Sequence, residues 1–75
     1  MKLLLEALAR ELVEEPRRVS VWEELEDGVT HLSLRVANAD RGRVIGKNGR
    51  TADALRALLS AVATKRGIRC EMEVE

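Results

Sequence analysis

Val44-Ile45-Gly46-Lys47-Asn48-Gly49-Arg50 is the decisive stretch of this chain: two glycines enclosing Lys47 and Asn48, an apolar turn before them and an amphipathic segment after. Glycines at Gly46 and Gly49 let the backbone turn sharply with no β-carbon between it and a ligand. The first amides of a following helix have no intrahelical partner and point back toward such a loop, at the positive end of the helix dipole. Lys47 and Arg50 add longer-range attraction for phosphate, and Arg41 and Arg43 are placed to receive adjacent phosphates or simply to be solvated. A single-stranded nucleic acid fits this arrangement better than a small-molecule substrate.

Working outward, the residues before the loop predict a short helix from Arg41, capped by Asp40, with Val44 and Ile45 directed inward and Gly46 ending it. After the loop, about Arg50 to Arg66 reads as a long helix with Leu55, Leu58, Leu59 and Val62 on one face and Gly67 as its C-terminal stop. Ile68, Cys70, Met72 and Val74 then alternate with polar residues as a strand. Upstream, Leu4, Leu5, Leu8, Leu12 and Val13 recur at helical spacing, and Pro16 predicts that this first helix stops near Glu14. Two strands follow, from Val19 to Leu25 and from Val29 to Val36, joined by Asp27-Gly28, a pair suited to a tight antiparallel hairpin. A right-handed strand-helix-helix-strand crossover makes the last strand parallel to the second. The expectation is an α+β unit of order α-β-β-α-α-β, a three-stranded mixed sheet with three helices on one face, in a single domain over 1–75.

Seventy-five residues provide for one small core, which argues against a deep enclosed pocket. Lys plus Arg and Asp plus Glu each total 13, so the net charge is zero, but the charge is unevenly spread. Residues 1–40 hold five basic and nine acidic side chains, residues 41–75 eight and four, and 41–50 carry Arg41, Arg43, Lys47 and Arg50 with no carboxylate. One cysteine and one histidine exclude an internal disulfide and a conventional metal cluster. The N-terminal leucines are interrupted by charge too soon for a signal peptide, and no run approaches the roughly 20 apolar residues of a membrane span. A cytoplasmic location is expected.

Gly42 to Arg50, followed by Ala52, Leu55, Arg56 and Ala61 to Lys65, resembles the KH domain in its type II arrangement, most closely the small bacterial single-KH RNA-binding proteins of the KhpA/YlqC kind. The resemblance covers nearly the whole chain. It implies a non-enzymatic RNA chaperone or regulator without cofactor, working as a homodimer or with a second KH-containing protein, and in some bacteria linked to cell elongation and division. It also implies that Gly46, Lys47, Asn48 and Gly49 form the binding loop, with Ile45 before it and Arg50 after it. Lys47 and Asn48 would face the sugar-phosphate chain, and bases would rest near Ile45, Ala52 and Leu55, with Leu34 or Val36 beside them. The groove would lie between the two helices and the edge of the second strand, and such a groove holds roughly four nucleotides.

Nucleotide-binding loops do not fit. Gly42 and Gly46 enclose three residues where a Walker loop needs four, and Lys47 is followed by Asn48 with no hydroxyl for magnesium. The dinucleotide fingerprint also fails, because only its final GxxG is present. Trp22 is the sole aromatic residue, so a stacking platform is missing. It reads as structural or as part of a subunit contact, and exposure opposite the helices would favour the contact. His31 reads as a solvent-side strand residue, Cys70 as a buried inert thiol, and Asp53 as a stabiliser of its helix start that also constrains Arg50 or Arg56. The adjacent carboxylate pairs show no acid-base arrangement, so no catalytic residue is assigned. The competing expectation is a protein-interaction module on the same scaffold.

Overall fold

A computed structural model describes residues Met1–Glu75. Its elements run α1 (Lys2–Leu12), β1 (Ser20–Glu26), β2 (Val29–Arg35), α2 (Arg41–Ile45), α3 (Arg50–Lys65) and β3 (Arg69–Val74), with short 3-10 turns at Pro16–Arg18, Asn38–Asp40 and Lys47–Gly49. The sheet order is β1-β2-β3, antiparallel between β1 and β2 and parallel between β2 and β3. This is the expected α-β-β-α-α-β order and mixed sheet. Asp27 and Gly28 both take positive φ, 51° and 76°, the backbone that a two-residue hairpin turn needs to match strand twist.

One face of the sheet meets the helices. Val21, Leu32, Leu34 and Met72 point there and are buried with Leu5 and Ala9 of α1, Val44 of α2, and Leu55 and Leu59 of α3. Alternation therefore leaves the neighbouring residues of each strand on the other, uncovered face. The buried stripe of α3 is Ala52, Leu55, Leu59 and Ala63, whereas Leu58, expected on that stripe, is 45% exposed. Small alanines at both ends of the stripe permit the helix to lie close to the sheet; a run of leucines alone misplaces the face by part of a turn. Arg56 fastens α3 to β3 by donating from Nε to the Met72 carbonyl at 3.0 Å, and its Nη1 lies 3.1 Å from Asp53.

The first helix ends at Leu12, two residues before the expected stop, with Val13 already extended. The cause is a side chain far away in sequence. Asp40 is 2% exposed, and its two carboxylate oxygens accept the amides of Glu14 and Glu15, each at 3.1 Å. Those amides would otherwise extend α1; Asp40 takes both as an acceptor instead. The expectation that Asp40 caps α2 with its side chain is thus incorrect, because both oxygens are committed to the α1–β1 connection. At its other end α3 closes in a Schellman motif, with Gly67 at φ 74°, its amide on Thr64 O and the Ile68 amide on Ala63 O at 2.9 Å. Ile68, expected in the last strand, instead belongs to this cap.

Candidate nucleic-acid interface

The loop is built from two glycine conformations and one asparagine. Gly46 ends α2 at φ 77° and ψ 171°, a region open essentially to glycine alone, and its amide donates to Gly42 O at 2.8 Å. A β-carbon there would lie 2.2 Å from Thr51 Oγ1, so Gly46 and Thr51 occupy one another's space. Asn48 sits at φ 57° and ψ 27°, a left-handed position that asparagine tolerates, and Gly49 at φ 76° leads into α3. A Gly49 amide bond to Gly46 O at 3.1 Å closes the turn. The backbone thus doubles back at Lys47 and Asn48, whose side chains stand exposed at the tip.

The four cations read from the sequence are not equivalent. Arg41, Lys47 and Arg50 are exposed and form no ion pair with the protein. Arg43 is held: its guanidinium bonds to Glu14, and its Nε lies 3.4 Å from the buried Asp40. Its charge is largely answered within the chain. Asp40 was expected here only as a helix cap, and Glu14 not at all, since its bond to Arg43 spans 29 residues. The packing of Thr51 against Gly46 has no signature in the local sequence pattern.

The apolar residues divide in a similar way. Ile45 is partly exposed beside the loop, but Ala52 and Leu55 are 3% and 6% exposed and face the core. Leu34 and Val36 are also core residues, and β2 is the central strand, flanked on both sides. A base-binding groove along a free edge of the second strand is therefore ruled out: the sheet's edges are β1 and β3. A hollow of about 600 Å³ lies away from the loop, among residues that include Glu15, Arg18, Arg35 and Asn38. A projecting turn that offers amides and cations needs no enclosed cavity.

Other candidates fall away from this site. His31 Nδ1 lies 3.2 Å from Glu71 Oε1 on the uncovered sheet face. Burial pushes the Cys70 thiol above its ordinary pKa, with Glu23 and Glu71 adding to the effect and the N-terminus opposing it. The thiolate is thereby disfavoured, in keeping with an inert side chain. No group of His, Cys, Asp and Glu is arranged to hold a metal ion, and no helix is long and apolar enough to cross a membrane.

A family model described as KhpA/KhpB, KH domain matches residues 2–74. The chain belongs to that KH-domain family. Among its relatives, the RNA-binding protein KhpA of Treponema pallidum is 46% identical over 71 residues, covering 95% of this chain and 89% of the relative. The proteins of the same name from Halalkalibacterium halodurans and Clostridium acetobutylicum are each 43% identical over 74 residues, covering 99% of this chain and 97% and 99% of the relatives. All three relatives carry names that describe RNA-binding proteins. The KH assignment agrees with the α-β-β-α-α-β order and the three-stranded mixed sheet.

Proposed function

We propose that this chain binds single-stranded RNA at the Gly46–Gly49 turn, as a cytoplasmic RNA chaperone or post-transcriptional regulator. The observation that carries the proposal is the exposed turn itself, with Gly46 in a glycine-only conformation and Lys47, Arg50 and Arg41 free of internal ion pairs. The names of the relatives support the same ligand. Lys47 and Asn48 face the sugar-phosphate backbone, Gly46 and Gly49 allow it to come close, and the first amides of α3 add their partial positive charge. Arg41 and Arg50 extend the phosphate track, and Arg43 joins it when Glu14 yields. Ile45 offers the accessible apolar surface to a base, while Ala52 and Leu55 hold α3 at the depth that sets the groove. Contact with few nucleotides makes a single copy a weak binder; pairing with a second copy or with another KH-containing protein engages two RNA segments at once.

Fluorescence anisotropy of labelled short single-stranded RNAs tests this site. The double variant Lys47→Asp, Asn48→Asp is expected to lose binding while keeping its circular dichroism spectrum, because both side chains are exposed and aspartate also tolerates the left-handed backbone. Three free cations predict a slope of roughly −2 for the wild-type affinity against salt on logarithmic axes. Undiminished affinity in the folded double variant at low salt would refute the assignment.

A further inference from the structure

The sheet face away from the helices bears five carboxylates, on Glu24, Glu26, Glu71, Glu73 and Glu75, against the guanidiniums of Arg35 and Arg69. Arg35 is already bonded to Glu75 at 2.7 Å, and Glu71 lies beside His31, which leaves Glu24, Glu26 and Glu73 without a cationic partner. On a chain of zero net charge, this face is a local negative surface. Trp22, 69% exposed, stands in the same sheet row as Ser33 and Glu73. Shallow hollows of about 170 and about 340 Å³ lie on either side of Ser33.

We propose that this face docks an extended, Lys/Arg-rich segment of a protein partner, independently of the RNA site. Trp22 has Glu24 two residues along its strand and Ser33 beside it, with Arg35 held by Glu75, so an incoming guanidinium or ammonium group is attracted to the ring face and to the unpaired carboxylates of the face. The spacing fits as well. Successive side chains on one face of a strand are about 7 Å apart, as are alternate side chains of an extended peptide laid along it. Basic residues at every second position would then meet the Trp22–Glu73 row, the Glu24–Glu71 row and Glu26 in turn. RNA is repelled by the same carboxylates that attract this segment. Exposure of Trp22 on this face meets the condition set for a subunit contact, but a two-fold contact here sets the face's excess negative charge against itself, which favours a basic partner over a second copy.

Trp22 is the only aromatic residue, so its emission reports directly on the face. The full chain is titrated at low salt with a short peptide of alternating Arg and Ser, with a matching Glu and Ser peptide, and with a short single-stranded RNA. The basic peptide is expected to change Trp22 emission saturably, and the other two to leave it unchanged. Replacing two unpaired carboxylates, Glu24→Gln with Glu73→Gln, is expected to weaken the peptide roughly fivefold. Both side chains are exposed, so this variant retains its fold. The Lys47→Asp, Asn48→Asp variant is expected to bind the peptide as the wild type does, even though it loses RNA. The proposal is overturned if the basic peptide gives no saturable change, if the carboxylate variant binds it equally well, if RNA alters Trp22 emission, or if the loop variant abolishes the response. It is equally overturned if the wild-type chain sediments as a dimer that Trp22→Ser dissociates.

Discussion

Gly42 and Gly46 are four residues apart in one short helical turn, yet they answer to different physics. Gly42 is helical, and a β-carbon there would meet open space. Gly42→Ala is expected to raise stability by about 0.4–1 kcal/mol in urea denaturation, by reducing the freedom of the unfolded chain. Gly46 combines φ 77° with ψ 171° and a 2.2 Å approach to Thr51 Oγ1. Gly46→Ala is expected to cost about 1–3 kcal/mol for the backbone alone and to displace Thr51 and the start of α3. Its denaturation midpoint should fall while that of Gly42→Ala rises. The two glycines look interchangeable as letters in a motif; only the backbone angles and the neighbour at Thr51 tell them apart.

At the level of elements, Asp40 does what no helix or strand can do alone: it joins the end of α1 to the start of α2. Its carboxylate accepts two amides and faces Arg43, so Asp40→Asn is expected to cost roughly 2 kcal/mol, as an NH₂ group replaces one charged acceptor. Hydrogen exchange at the Glu14 and Glu15 amides should accelerate by more than the global loss of stability explains. The same residue marks where sequence-based inference stops. Helices of Leu4, Leu5 and Leu8, the Asp27-Gly28 hairpin and the alternation around Leu32 and Leu34 were legible because each is set by neighbours within a few residues. Local spacing also revealed the GxxG turn, together with the free cations Lys47 and Arg50. The end of α1, the bond of Arg43 to Glu14 and the central place of β2 were not legible, because partners at least 25 residues distant or the order of strands in the sheet decide them. The α3 face was misplaced for a related reason: the orientation of the helix on the sheet, which local hydrophobicity does not fix, buries Ala52 and Ala63 and leaves Leu58 exposed.

Across the whole molecule, zero net charge conceals a division between a cationic loop end and an acidic sheet face, and Glu14 sits on the wrong side of that division. Removing its charge by Glu14→Gln is expected to free the outer end of the Arg43 guanidinium toward RNA, with its Nε still beside Asp40. Affinity for short single-stranded RNA should rise about two- to fivefold at low salt, and the logarithmic salt dependence should steepen by about 0.7, as measured by anisotropy. The strand order carries a consequence of another kind. β1 and β2 pair through a two-residue turn, whereas β3 joins β2 from 40 residues farther along, after both remaining helices. Hairpin closure is fast and the crossover pairing slow, because a long loop must close first. During synthesis the hairpin therefore leaves the ribosome with one side of its second strand unsatisfied, and it stays open to pairing with other chains until residues 69–74 arrive to cover it.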